Sequence, residues 1–314
     1  MPIRIGVAGL TRLGWRLAVA VRTQADLALR GVYDPRPQRC TAALREGFAA
    51  FDDLAALAPR CDVIVNCGAS AIAPGVPVVN GPHSPGNNGP LFSLLADPGA
   101  GQPAVRVAGS NALAFARLLS GLRRFGPVSR FFATSFRRAG HATDRSTGCI
   151  DALEPVFDDD AETQELGDVF RGVVASFHIR RVRGPYTHSD FHMVKIDLTD
   201  PITIESALGA LRGAPRVVVA AARDGFSDTA QVQEFYRDRG GSRPDRYSVF
   251  VWEESIAVNE GSLLLMADVC PETTPVPELL DAVRVRHGAV ALADSIAKTD
   301  AGLGVWTRWQ DLQG

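Results

Sequence analysis

Ser110 opens the stretch of this chain best placed to do chemistry. It follows the apolar run Val105-Arg106-Val107-Ala108-Gly109 and begins an apolar-periodic segment, Asn111 to Leu122. That order predicts a strand running into a helix, an elbow that holds a side chain at a cleft beside unpaired helix N–H groups. A serine there either contacts a substrate oxygen or caps the helix, and the two roles are compatible. With no base beside it in sequence, its hydroxyl is a poor nucleophile at neutral pH, where a thiolate would attack an aldehyde. Asn111 either orients a carbonyl or bonds its own backbone. His188, Asp190 and His192 recur at every second residue, so on a strand they share one face. The spacing invites a metal, but no further ligand is evident and none is expected. Arg137 and Arg138 alternate along another strand, one facing the cleft and the other solvent or an interface.

A second group of residues points to a nucleotide. Ile3 to Ala8 reads as a buried strand, Gly9 to Gly14 as a turn and Trp15 to Arg22 as a helix. Leu27 to Val32 is a second strand that ends at Tyr33-Asp34. Strand, glycine turn, helix, strand, acid is the order of a dinucleotide-binding unit. Gly9 permits the tight turn and Gly14 close helix–strand packing. Thr11, Arg12 and Leu13 then lie where the helix N-terminus meets the pyrophosphate. Thr11 stands in place of the middle glycine and narrows that approach. Asp34 is positioned to accept the adenosine ribose hydroxyls, which favours NAD, while Arg36 and Arg39 just beyond it tolerate the 2′-phosphate of NADP. Cys67 follows the buried strand 62–66 on the same side.

The remaining elements must position these two groups. Val76 to Val79 and Val105 to Ala108 continue a β/α alternation, implying a parallel sheet with helices on both faces. From Ser129 the pattern becomes α+β, with strands at 131–137, 173–179, 193–198, 217–221, 247–252 and 262–269 in a mostly antiparallel sheet. The acidic run at 158–160 reads as a solvated loop. Helices at 276–286 and 289–298 are predicted to return to the first domain. The expected domains are thus 1–109 with 276–314, and 110–275. The length of 314 residues and 46% apolar content suit a two-domain chain with a sizeable core. A net charge of −2 gives no attraction to nucleic acid or anionic membrane. The five cysteines, Cys40, Cys61, Cys67, Cys149 and Cys270, have no CxxC or zinc spacing. Free thiols in a reducing cytoplasm are expected.

Several segments resemble archaeal-type (type II) glyceraldehyde-3-phosphate dehydrogenase. They are Gly225 to Gln231 with Glu234-Phe235 and Arg237-Asp238, Val251 to Ile256, Val276 to Glu278, Asp281 to Arg284, Ala293 to Asp300 and Leu303-Gly304. Arg137-Arg138-Ala139 and Gly148 fit the same pattern. The resemblance spans nearly the whole chain. It implies a Rossmann dinucleotide-binding domain, an α+β catalytic domain, a C-terminal helix reaching the cofactor at Asp300, and a homo-oligomer, tetramer or dimer. It also implies an acid/base role for His192, although a hydrogen-bonded structural role is equally open. The departures fall on the chemistry. The family's Ser-Cys-Asn-Thr-Thr-Gly reads Gly109-Ser110-Asn111-Ala112-Leu113-Ala114, so the thiol is absent. Of the family's phosphate-gripping cations between Arg138 and Gly148, only Arg145 remains. The expected substrate contacts are therefore Arg137, Arg138 and Arg145, and Cys67 or Cys149 are the candidates for a replacement thiol. The leading expectation is an NAD(P)-dependent oxidoreductase that acts on a small carbonyl or imine without a cysteine intermediate. The rivals are a non-catalytic dinucleotide- or partner-binding module, and a glyceraldehyde-3-phosphate dehydrogenase carrying an engineered Cys→Ser change.

Overall fold

The computed structural model describes residues 1–68, 75–82, 84, 89–96, 104–140, 151–157, 160–240, 245–287 and 290–306. In chain order the elements are β1 (Ile3–Ala8), α1 (Arg12–Arg22), β2 (Leu27–Tyr33), α2 (Pro37–Arg45), β3 (Ala50–Phe51), α3 (Leu54–Leu57), β4 (Val63–Asn66), β5 (Val78–Asn80), β6 (Leu91–Phe92) and β7 (Ala104–Val107). There follow α4 (Ser110–Leu122), β8 (Val128–Arg138), β9 (Glu154–Val156), α5 (Asp160–Phe170), β10 (Val174–Gly184), β11 (Asp190–Leu198), α6 (Ile204–Arg212) and β12 (Val217–Ala220). The chain continues with α7 (Thr229–Gly240), β13 (Val249–Trp252), β14 (Ala257–Asn259), β15 (Ser262–Val269), α8 (Pro275–Arg286) and α9 (Leu292–Leu303). They fall into two units, Met1–Gly109 with Pro275–Val305, and Ser110–Thr274 with Trp306.

The first unit is built on a parallel sheet in the order β3-β2-β1-β4-β5-β7-β6. The switch from β2 to β4 on either side of β1 places a ligand crevice at the carboxyl ends of these strands, as in Rossmann-like folds. Core strands such as β4 are buried along their whole length, which is why they read as unbroken apolar runs. Helix α1 starts at Arg12, three residues earlier than the sequence pattern suggested, because Thr11 caps it and fixes the first turn. Helix α2 was not evident in the sequence; Pro37 in its first turn sets the entry geometry. Helix α8 packs on α1 and β7. Its Arg284 is buried and is held by Asp26 at 2.6 Å, Gln24 Oε1 at 2.8 Å and Thr299 Oγ1 at 2.5 Å, so the guanidinium does not lie unpaired in the core.

The second unit has a mixed sheet, β12-β13-β15-β11-β8-β10-β9, with β14 pairing β15. Among the described residues β8–β10 and β12–β13 are parallel, and the other pairings are antiparallel. On the inner face α4 is joined by α5 and α6. Phe115 of α4 meets Phe131 at 5.0 Å and His192 at 4.9 Å between ring centroids. The outer face carries exposed Met193, Leu264 and Met266 around a cavity of about 650 Å³ that Phe132, His178 and Lys195 also line. Two local expectations are corrected. Asp160 begins α5 rather than sitting in a loop, since acidic residues in a first turn complement the helix dipole. His188 precedes β11 and is exposed, so it does not share the strand face of Asp190 and His192.

Candidate functional site

In the first unit, the β1–α1 turn is shaped by two glycines. Gly9 adopts φ +90°, and its N–H donates to the Tyr33 carbonyl at 2.7 Å. A Cβ on Gly14 would lie 1.9 Å from the Gly9 carbonyl oxygen, so only glycine lets α1 approach this closely. Thr11 accepts the Gly14 N–H at 3.2 Å and donates to the Cys67 carbonyl at 2.8 Å. The residue that replaces the middle glycine therefore ties the turn to the end of β4. Arg12 and Leu13 form the first turn of α1, the end that favours an anion. Cys67 contributes its backbone; its thiol is buried and desolvation pushes it up to about 12, so it holds no thiolate at neutral pH. Burial likewise pushes Cys61 up to about 11, and Cys40 and Cys270 are also buried. Cys149 and Arg145 lie outside the described residues. Asp300 sits in the last turns of α9, buried, and its carbonyl accepts the Val305 N–H at 2.8 Å.

Asp34, expected to accept hydrogen bonds from the ribose hydroxyls, is held by donors of the chain itself. Its side chain is fully buried. One carboxylate oxygen takes the Leu10 N–H at 2.7 Å, and the other takes the Arg36 N–H and Nε, both at 2.9 Å. Arg39 reaches the first oxygen at 3.4 Å. Burial works to raise the carboxyl, but Arg36 and the two backbone N–H groups outweigh it and hold it below the usual carboxylate range. The side chains of Arg36 and Arg39 are 50% and 37% exposed beside it. The carboxylate is thus engaged by two arginines whose side chains remain partly exposed.

In the second unit, Ser110 is the first residue of α4 and half-buried, and Asn111 follows with 4% exposure. Asn111 Nδ2 donates to Glu162 Oε1 at 3.1 Å, while its buried Oδ1 has no partner among the described residues. Glu162 Oε2 also pairs with Arg181 Nε at 2.7 Å and Arg137 Nη1 at 3.2 Å. Arg138 pairs with Glu272 and donates its backbone N–H to Asp190 Oδ1 at 3.1 Å. Of the three arginines predicted to meet substrate, Arg137 and Arg138 are ion-paired to internal carboxylates, with side chains 31% and 16% exposed.

Asp190 and His192 alternate onto the same buried face of β11. Desolvation pushes the Asp190 carboxyl up to about 6; the Arg138 N–H, Arg137, Arg138 and the Asn111 side chain pull the other way. His192 is completely buried, with Nδ1 2.9 Å from Ser135 Oγ and Nε2 without a partner among the described residues. Burial, with Arg137 adding repulsion, drives its pKa down to about 3, so the ring is neutral near pH 7. Sequence reasoning grouped Asp190 with His192 only as a metal pair, and it missed Glu162 and Arg181. Among the described residues no group of His, Cys, Asp and Glu side chains could hold a metal ion. None of the described helices is long and apolar enough to cross a membrane.

No family model matches the chain. Curated proteins do, over nearly the full length of both partners. Glyceraldehyde-3-phosphate dehydrogenase of Archaeoglobus fulgidus is 26% identical, covering 97% of this chain and 98% of its own. The enzymes of that name from Hyperthermus butylicus and Thermococcus kodakarensis are each 27% identical, covering 96% and 97% of this chain. From end to end, the chain is similar to the archaeal glyceraldehyde-3-phosphate dehydrogenases.

Proposed function

We propose that this protein is an NAD(P)-dependent oxidoreductase that moves a hydride to or from a small carbonyl or imine compound without a covalent cysteine intermediate. The observation that carries the reading is Ser110 at the start of α4, next to Asn111, whose side chain bonds Asp190, with every described thiol buried. The nicotinamide, when bound, supplies the hydride; the chain must bind the cofactor, orient the carbonyl and manage one proton. Gly9, Thr11, Arg12, Leu13 and Gly14 would hold the pyrophosphate. Asp34 is already bonded by Leu10 and Arg36, and the Arg36 and Arg39 side chains beside it are partly exposed, so a 2′-phosphate could take over these cations and NADP(H) is the favoured cofactor. Ser110 and Asn111 would hydrogen-bond the substrate oxygen. Asp190, poised near neutrality, is a better proton carrier than His192, whose neutral ring positions its neighbours. The exposed apolar outer face of the second unit supports a homo-oligomer in the manner the family resemblance implies.

The complete burial of His192 also favours a second reading, in which the fold binds a dinucleotide without turnover. Incubating the protein with NADPH and a panel of neutral aldehydes, ketones and imines separates the two. Loss of reduced-nicotinamide absorbance supports the enzyme. Tight NADPH binding with no consumption across the panel leaves the binding module.

A further inference from the structure

Glu162 makes the contacts that an anionic ligand would make. Its carboxylate collects Arg181 Nε at 2.7 Å, Arg137 Nη1 at 3.2 Å and Asn111 Nδ2 at 3.1 Å, two guanidinium groups and an amide converging on one anion. Charge-assisted donors of this kind recognise carboxylates and phosphates. The arrangement is sheltered: the Glu162 and Arg181 side chains are 11% and 7% exposed. It also includes Asn111, the residue next to Ser110.

We propose that the Glu162 carboxylate is a built-in occupant of the substrate-side anion pocket, making Glu162 the residue that turns away phosphate- and carboxylate-bearing substrates in favour of neutral carbonyl compounds. The assignment of this pocket to substrate rests on the reading of Ser110 and Asn111 given above. An incoming anion must displace a carboxylate tethered to α5, which competes at an effective concentration in the millimolar range or higher. The electrostatics point the same way. Arg137 and Arg181 pair with Glu162, Arg137 and Arg138 also act on Asp190, and Arg138 pairs with Glu272, so an added anion meets little net positive charge. Without Glu162, Arg181 keeps Thr163 Oγ1 at 3.2 Å, but the carboxylate that Arg181, Arg137 and Asn111 share is gone.

The test is calorimetric titration with inorganic phosphate, which needs neither cofactor nor turnover. Its outcome is therefore independent of whether the hydride-transfer reading holds. Wild type, Glu162→Ala and Glu162→Gln are compared after circular dichroism confirms folding. Glu162→Ala is expected to bind phosphate roughly tenfold or more tightly than wild type. Glu162→Gln keeps the side-chain volume and an acceptor for Arg181, so it should gain less, yet still gain. Adding Arg181→Ala to Glu162→Ala should remove the new affinity, a result that a merely structural role would not give. Wild-type binding as tight as that of the variants overturns the proposal, as does unchanged phosphate affinity in any variant that folds.

Discussion

Replacing Asp190 by asparagine isolates the energetic consequence of burying a carboxyl beside the candidate substrate site. The residue is 4% exposed and its carboxyl is raised from 3.8 to about 6, mainly by desolvation. An acid whose folded pKa is raised binds protons more readily in the folded state. Stability is therefore unaffected below about pH 3.8 and falls as pH rises through the window to about 6. At about 1.4 kcal/mol per pKa unit, the ionised carboxylate costs the folded state about 3 kcal/mol above that window. Asparagine preserves an acceptor for the Arg138 N–H and removes the ionisation. Asp190→Asn should thus be more stable than wild type by about 3 kcal/mol near pH 8, shrinking to about 1 kcal/mol near pH 4.5. Urea denaturation at the two pH values, followed by circular dichroism, measures the difference. A gain equal at both values, or no gain near pH 8, would refute the reasoning. The same variant should lose turnover if Asp190 carries the proton.

His192 has the opposite linkage: its pKa falls from 6.5 to about 3, so acid destabilises the folded state from about pH 6.5 downward, and His192→Gln should shift the acid-unfolding midpoint lower while retaining most turnover. Arg36→Ala and Arg39→Ala should each weaken NADPH binding about tenfold to a hundredfold while leaving NADH affinity nearly unchanged, as read by fluorescence titration. Gly14→Ala puts a methyl against the Gly9 carbonyl and should abolish dinucleotide binding by either cofactor in the same titration. Ser110→Cys should not produce phosphate-dependent oxidation of glyceraldehyde 3-phosphate, because Arg137 and Arg138 remain paired to Glu162 and Glu272; a coupled acyl-phosphate assay checks this.

The first unit, with its Rossmann-like sheet, was the most legible part of the sequence. Unbroken apolar strands such as β4 and a glycine turn before an amphipathic helix are local patterns that survive folding. The elbow at Ser110 was legible for the same reason. The use of Asp34 was not, since its position at the end of β2 fixes where the carboxylate sits but not which donors reach it first. Helix α2 was not assigned from the sequence; Pro37, which belongs in a first helical turn, is its local signal. The Glu162 pairing had no signal along the chain. Its partners Asn111, Arg137 and Arg181 come from α4, β8 and β10, and only the packing of α5 brings the carboxylate to them. The displaced ionisation of Asp190 and His192 was likewise hidden, because alternation on a strand gives the shared face but not the depth of burial.

The central claim, hydride chemistry without sulfur attack, is tested most directly by turnover after thiol alkylation. Wild-type protein is treated with iodoacetamide under native conditions until no accessible thiol remains, and NADPH consumption with a neutral aldehyde is then compared with untreated protein. The account predicts undiminished turnover. Activity lost in proportion to the alkylation of one cysteine, and protected by substrate, would contradict it.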